Sequence, residues 1–547
     1  MDIENRNITE NVCAEGAVKP EEEIDYLSYN EKPLFEISKK ENIFAICTII
    51  VSVITVAFGV FGGFALGYSI SLILMNIIFI TYLYKRGKKG ILSILCGILG
   101  LTNSFIFIST SNMSVRFFGV LVSFLLALVC FDGLVNGEAK GNRKTIGIFY
   151  SAISTVKNIG ISIKSFLSNK KGNKKFLGKA LIGVAGAIPV LIVVVTLLIS
   201  SDDAFEGMIN GIFSNTFSTI IKINLGLGVS LFAIPYGLSL KSGRIAKIKK
   251  SNFNGLENTY IISFLSAISV AYLLYLFSQL AYFFSAFKGF LPNGKITYAE
   301  YARKGFFEMC VIAVINLAIV FTALLIAKKK NGKVCNTIKA ITSFISAFTL
   351  IIIATAISKM VLYISSYGMT VLRLTTSAFM IFLSVVFISV VLRIYVTRIN
   401  IIKTALITAG CVILVLGTVN VNEVCARYNY ESYKSGKLES IDINQLYNLG
   451  DEGIPYIVKL TCSNKEEIAK EAGGYLAEAY LHDYFDSMCR FEHFTVQDLR
   501  ENQKIKGFER LSIPKYKAYE SLYGFMEENP WFDSVCKQYH KTADCWY

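Results

Sequence analysis

Six charged residues lie within long apolar stretches of this 547-residue chain or close beside them. They are Lys222, Glu300, Arg303, Glu308, Lys359 and Arg373. Inserting a central Lys or Arg into a bilayer costs about 2.5–3.5 kcal/mol, so each such charge needs a partner or a purpose. If the six lie at one level near a membrane face, their excess positive charge could bind a phosphate by charge-assisted hydrogen bonds. This interpretation predicts a polar vestibule for an anionic substrate, such as a lipid head group or a cell-wall intermediate.

The same charges also have a structural interpretation. Acids and bases on neighbouring helices can pair, and long Lys and Arg side chains can reach the polar interface. A cavity lined by Glu308, Lys359 and Arg373 would favour the vestibule, whereas a filled bundle with these residues paired would favour the structural role. We favour pairing and assign no catalytic residue.

The elements that must position these residues are membrane-spanning helices. Eleven apolar stretches are long enough to cross a bilayer, where the backbone must be helical because lipid offers it no hydrogen bonds. They cover 43–65, 67–84, 91–109, 117–136, 179–200, 217–239, 259–285, 305–327, 339–364, 372–392 and 404–420. Hydrophobic residues make up 53% of the chain and charged residues only 17%. The predicted fold class is therefore an all-α polytopic integral membrane helix bundle.

The turns between the spans alternate in charge. Five of them, at 85–89, 137–179, 240–258, 328–339 and 393–403, hold 27 Lys or Arg, and the opposing turns hold 6. Because basic turns stay in the cytoplasm, we predict a cytoplasmic N-terminus and an extracytoplasmic C-terminus in the cell membrane. This threading brings the six charged residues towards the outer face.

The net charge of +15 is concentrated in the membrane turns. Residues 43–420, the predicted transmembrane domain, carry +27, whereas 1–42 and 421–547 carry −6 each. We therefore predict contact with membrane lipids and no binding of nucleic acid. Residues 1–42, without a cleavable signal, are predicted to be a disordered acidic cytoplasmic tail. Residues 421–547 are predicted to form a small helical extracytoplasmic domain, since they can bury a modest core.

The longest basic turn contains a predicted amphipathic helix over 145–168. Its apolar residues recur at steps of three, four or seven, and Lys157 and Lys164 fall elsewhere on the helix. Such a helix can lie on the inner leaflet, where anionic lipid attracts its bases. A cytoplasmic helix that packs on the bundle would show the same pattern, so both alternatives stay open.

All three His of the chain lie in 421–547, where some share a helical face with other metal-ligating residues. That face comprises His482, Asp486, Cys489 and His493, and a second pair is Cys536 and His540. Such faces can bind zinc when the ligands converge. No paired C-x-x-C or H-E-x-x-H motif accompanies them, so we predict no metal site and no cofactor.

Three segments resemble those of a known family. They are Tyr298-Ala299-Glu300-Tyr301-Ala302-Arg303-Lys304-Gly305-Phe306-Phe307, Tyr367-Gly368-Met369-Thr370-Val371-Leu372-Arg373, and Ala426-Arg427-Tyr428-Asn429 with the stretch at 449–455. In order and spacing the chain resembles bacterial multi-pass membrane proteins catalogued as domain of unknown function 4173. The resemblance implies a topology and no established activity. It also implies that Glu300, Arg303 and Arg373 belong together.

Three functions remain open, in this order. The first is a non-enzymatic membrane protein that senses or organises at the cell envelope and binds an envelope protein through residues 421–547. The second is a transporter or lipid-handling permease that uses the outer charged vestibule. The third is a membrane-embedded transferase with Glu300 or Glu308 as its acid. The sequence contains no hydrolase elbow, phosphate-binding Gly loop or kinase motif, which favours the first.

Overall fold

The described part of the chain is almost entirely helical. The structure is a computed structural model that describes residues 34–59, 61, 64–84, 90–137, 142–168, 203–243, 255–287, 306–328, 334–396, 399–488 and 512–529. Besides α-helices these residues form short 3-10 turns and one isolated bridge between Leu256 and Ala327. Eleven of the helical stretches are long and apolar enough to cross a membrane. The predicted fold class is confirmed, because the protein is a polytopic all-α membrane helix bundle.

The helices divide into those of the bundle and those of the tail that follows it. The bundle contains α1 (Lys39–Gly59), α2 (Leu66–Leu83), α3 (Ile91–Asn103), α4 (Ile106–Ser109), α5 (Met113–Asn136), α6 (Asn142–Ser154), α7 (Ile159–Ser168), α8 (Asp203–Ser242), α9 (Asn258–Phe287), α10 (Phe306–Ile326), α11 (Asn336–Tyr367), α12 (Val371–Tyr395) and α13 (Ile401–Thr418). The tail contains α14 (Val421–Lys434), α15 (Ile443–Tyr447), α16 (Ile454–Thr461), α17 (Glu466–Met488) and α18 (Ile513–Glu528).

The first two predicted spans are separate helices, as the sequence indicates. α1 and α2 pack against each other, with only six residues between them in the chain. A Cβ atom on Gly59 would lie 2.8 Å from two ring carbons of Tyr68, so only glycine permits this approach. The close contact explains how so short a connection reverses the chain.

The eleven apolar helices differ from the eleven predicted spans at one place. Thr145–Ser168 is among them by length and composition, although the sequence indicates an amphipathic surface helix there. The predicted span 179–200 lies outside the described residues.

The membrane helices form two groups. α1, α2, α3, α5, α8 and α13 pack together in the first group, around a core that includes Phe79 and Leu126. α9, α10, α11 and α12 form the second, around a core that includes Phe348 and Phe387. The two groups meet where α12 packs against α13.

The antiparallel packing defines two ends of the bundle. Phe44 of α1 lies against Gly237 of α8, while Val53, further along α1, lies against Gly226. α1 therefore begins where α8 ends. We call this the basic end, because the helices there lead into the five turns rich in Lys and Arg. The opposite end is the tail end, where α13 leads into α14.

The segment formed by α6, the 3-10 turn Thr155–Asn158 and α7 lies across the basic end. Thr145 Oγ1 accepts a hydrogen bond from Asn400, which caps the start of α13 (2.7 Å). Asn158 donates to Ser239 in the last turn of α8 (2.8 Å). Ser165 accepts from the backbone N–H of Phe35, just before α1 (2.8 Å). All three partners belong to the same end, so this segment does not run through the bundle.

The tail packs on the tail end and shares a hydrophobic core with the bundle. Ile106 and Val115 of the bundle belong to the same buried cluster as Val421, Leu446 and Phe525 of the tail. The tail is consequently built onto the membrane helices, and its helices pack directly on the turns that connect them.

Candidate functional site

The structure brings two of the six predicted site residues together. Glu308 lies in the first turn of α10 and is exposed, and Lys359 lies towards the tail end of α11 and is 8% exposed. The Glu308 carboxylate is close enough to act electrostatically on the Lys359 ammonium group. These two residues lie on α10 and α11, which pack against each other in the second group.

Arg373 holds the turn between α11 and α12. Its Nη1 atom donates to the carbonyl oxygens of Gly368 (2.5 Å) and Tyr367 (3.2 Å), which are left without intrahelical partners where α11 ends. The guanidinium carbon lies 4.1 Å from the ring centroid of Tyr363, a cation–π arrangement. Positive charge is also favourable at a helix C-terminus, so these contacts describe a capping residue.

The remaining predicted site residues are placed elsewhere or not described. Lys222 lies on α8 in the first group, with its Nζ atom 5.4 Å from the ring centroid of Phe61. Glu300 and Arg303 lie outside the described residues. The vestibule formed by all six residues stays a prediction.

The tail contacts the turn between α4 and α5 through a buried carboxylate. Glu452 is 1% exposed, and its carboxylate accepts hydrogen bonds from the backbone N–H of Ser111 (2.9 Å) and from the Ser111 hydroxyl. Asn422 also donates to this carboxylate (3.4 Å) and accepts from Asn112 (2.8 Å). We call this set of contacts the first clamp.

Asn420 completes the first clamp at the junction of bundle and tail. Its side chain accepts from Thr110 Oγ1 (3.1 Å) and donates to the carbonyl of Ser109 (2.9 Å). Its φ of 57° is left-handed, a conformation in which Asn is several-fold enriched among non-glycine residues. The backbone is therefore left-handed at Asn420, the residue that binds the turn between α4 and α5.

Arg116 supports the same turn from inside the bundle. This buried guanidinium donates to the carbonyls of Thr110 (2.7 Å) and Phe107 (3.3 Å). The carboxylates of Glu452 and Asp451 act on it electrostatically from the tail. The sequence marks Arg116 only as one of the few bases in the outer turns, so its role in joining bundle and tail was missed.

A second clamp holds the turn between α11 and α12. The side-chain oxygen of Asn429 accepts from the Met369 N–H (2.7 Å), and its amide donates to the Met369 carbonyl (2.8 Å). Gln445 donates to the same carbonyl (3.3 Å). Gly368 has a φ of 76°, and a Cβ there would lie 2.7 Å from the Asn429 oxygen. The turn therefore requires glycine both for its conformation and for this approach.

Two titratable groups of the tail are held in their neutral forms. Cys425 is fully buried, and burial raises the pKa of its thiol to about 12. Burial, followed by a hydrogen bond to Glu423 (2.8 Å), also raises the pKa of the Tyr456 hydroxyl. A protonated thiol is a poor nucleophile and metal ligand, so Cys425 acts as a packing residue.

The possible zinc ligands of the tail lie outside the described part of the chain. Cys489, His493, Cys536 and His540 belong to residues that the structure does not describe, and so do the side chains of His482 and Asp486. Within the described part, no group of three or more His, Cys, Asp or Glu side chains could hold a metal ion.

Two buried charged residues near the basic end were also missed from the sequence. Asp132 of α5 is 8% exposed and accepts from Asn136 (2.8 Å), and Lys403 of α13 is 1% exposed and acts on it electrostatically. Tyr236 of α8 is buried close enough to interact with Asp132. An acid inside the predicted span 117–136 was the available signal. The sequence places Lys403 only at the end of the basic turn 393–403.

A family model matches residues 70–460, which is more than half of the chain. The chain belongs to the family described as Domain of unknown function (DUF4153). The resemblance to domain of unknown function 4173 is therefore wrong. That resemblance relied on short motifs at turns, whereas the DUF4153 match extends over most of the bundle.

The DUF4153 region begins within α2 and ends within α16. It therefore includes both clamps, with Asn420, Asn422, Asn429 and Glu452 on the tail side. No curated protein and no solved structure matches the chain.

Proposed function

We propose that this DUF4153 protein senses or organises at the bacterial cell envelope through its tail, without catalysing a reaction. The observation that supports this function best is the attachment of the tail. Its two clamps hold one turn of each helix group, at 110–112 in the first and 368–370 in the second. A partner bound to the tail would therefore act on both groups together.

The hydrogen bonds of the two clamps are costly to break, so a movement of the tail caused by a partner would be passed to the turns that the clamps hold. Removing one partner of a buried hydrogen bond costs about 1–3 kcal/mol, and more when the group is charged. Glu452 and Asn429 each make at least two such bonds to a turn of the bundle. In this arrangement the hydrogen bonds alone couple the tail to the membrane helices, and no catalytic group is needed.

The proposal includes an orientation. Basic turns on one side support a cytoplasmic basic end and an extracytoplasmic tail in the cell membrane. The tail would then meet an envelope protein outside the membrane, and residues 421–547 would carry the binding surface.

A deletion strain tests this function. We expect an altered envelope-stress response and an unchanged lipid composition, restored by the full-length chain. A variant carrying Asn429→Ala and Glu452→Ala, at the wild-type level in the membrane, should fail to restore it. A matched variant carrying Asn444→Ala and Glu439→Ala, both exposed positions of the tail, should succeed. An altered lipid profile in the deletion strain would displace this proposal.

The alternative is a transporter or lipid-handling permease with a charged vestibule at the outer leaflet. The position of Glu308 and Lys359 in membrane helices supports it, since intramembrane charges are costly and often line substrate pathways, whereas their mutual interaction favours the structural role. Glu308→Gln and Lys359→Met should each reduce lipid or solute movement at unchanged protein level. If both variants lose activity only in proportion to expression, the charges are structural and the vestibule is abandoned.

A further inference from the structure

The segment across the basic end packs its polar side against the protein. The residues of this side are 9% exposed or less and recur at steps of three or four, as on one helical face. They are Thr145, Ile148, Ser151, Thr155, Asn158, Ser162 and Ser165. All but Ile148 carry a hydroxyl or amide group, and Thr145, Asn158 and Ser165 use it to bond Asn400, Ser239 and Phe35.

The outward side of the same segment is apolar. Ile146, Tyr150, Ile153 and Val156 are 39%, 46%, 72% and 49% exposed, and they too are spaced by three or four residues. A surface helix of a water-soluble protein has the reverse arrangement, with its apolar stripe inward and its polar face outward. An outward apolar stripe is favourable where acyl chains replace water.

Charge at the edge of this stripe identifies the surrounding lipid. Lys157 and Lys164 are exposed on the segment. Arg143 and Lys144 come immediately before it, and Lys170 and Lys171 follow. Basic residues beside an apolar helical face are attracted to the anionic head groups of phospholipids, at about 1 kcal/mol for each base near the surface.

We propose that Thr145–Ser168 is an interfacial helix that binds anionic phospholipid at the basic end. Ile146, Tyr150, Ile153 and Val156 insert among the acyl chains of that leaflet, and Lys157 and Lys164 bind the phosphates. The hydrogen-bonded polar face fixes the segment at one depth. This assignment depends on the contacts of the segment and is independent of the function proposed for the tail.

Tryptophan fluorescence can measure the depth of this helix. The chain has two Trp residues, so the experiment starts from full-length protein with Trp531→Phe and Trp546→Phe. Single Trp residues are then introduced as Ile146→Trp, Ile153→Trp or Val156→Trp. The proteins are reconstituted in phosphatidylcholine vesicles with bromine at shallow or deep acyl positions.

All three variants should be quenched most by shallow bromine, at one common depth. Phe124→Trp in the middle of α5, 59% exposed, is the deep control, and Tyr516→Trp in the tail, 58% exposed, is the aqueous control. A membrane-crossing helix would separate positions 146 and 156 by about 15 Å and would overturn the proposal. Absence of quenching at all three positions would show that water or protein covers this face and would equally overturn it. Three positions keep the test decisive if one variant does not accumulate.

Head-group selectivity is measured with the Ile153→Trp protein. Brominated phosphatidylglycerol at low mole fraction should quench it more than brominated phosphatidylcholine does. Lys157→Gln with Lys164→Gln should reduce this preference, by about fivefold for each lysine at low salt. The matched control is Lys434→Gln with Lys437→Gln, two exposed lysines of the tail. Equal quenching by both lipids would contradict the role of the two bases.

Discussion

The two ends of the bundle use polar side chains in different ways. At the tail end, buried Asn and Glu side chains bond to the backbone of two turns and attach a separate set of helices. At the basic end, hydroxyl and amide groups attach one short segment, and its apolar side stays exposed. Polar contacts therefore build a tail onto the bundle at one end and fix a helix at a membrane surface at the other. The following substitutions test this difference.

Glu452→Ala should have the largest effect. It removes two acceptor oxygens from Ser111 and also one of the two carboxylates, Glu452 and Asp451, that act electrostatically on the buried Arg116. Breaking a buried charge interaction costs about 3–5 kcal/mol, so we expect a loss of about 3 kcal/mol in the free energy of unfolding. Titration with SDS in mixed micelles measures it, and trypsin should release the tail sooner. Exposed Glu439→Ala is the control, and an equally small change in both variants would contradict the first clamp.

Asn429→Ala should destabilise the protein by about 2 kcal/mol, because both hydrogen bonds to Met369 are lost at a partly buried site. The same SDS titration applies, with exposed Asn444→Ala as the control. Combined with Glu452→Ala, the two losses should add to within about 0.5 kcal/mol, since the clamps hold different turns. A larger interaction energy would mean that the two clamps act as one unit.

Asn158→Ala should cost about 1 kcal/mol, the usual value for one buried hydrogen bond. Because this bond attaches only the segment at the basic end, protease release of the tail should stay unchanged. Faster release of the tail in this variant would contradict the independence of the two ends.

Lys241→Met should have the smallest effect. Its ammonium group pairs with Glu41 at 2.7 Å, and the two side chains are 31% and 10% exposed. Partly exposed ion pairs contribute about 0.2–1 kcal/mol and weaken as salt rises. We expect a loss of about 0.5 kcal/mol that disappears at 1 M salt. A loss independent of salt would assign the effect to the contact of Lys241 with the Tyr82 ring, 4.1 Å from its centroid.

Much of the fold could be predicted from hydrophobic length. The separation of α1 from α2 and the all-α bundle both appear in the pattern of apolar stretches. The contacts of the candidate site could not be predicted in the same way. Ser111 and Glu452 are 341 residues apart in the chain, and no local pattern indicates that they meet. Arg373 illustrates the same limit, because its type and position suit a phosphate ligand as well as the helix cap that it forms.

The sequence by itself determined that this chain is a multi-pass membrane protein. Lipid offers the backbone no hydrogen bonds, so an apolar stretch of sufficient length must form a helix whatever its neighbours are. Only the tertiary structure decided which polar side chains pair, because hydrogen bonds depend on distance and direction between residues remote in sequence. It also decided the position of Thr145–Ser168. Length and apolar composition are compatible with a crossing, but three hydrogen bonds to one end of the bundle place this segment across that end.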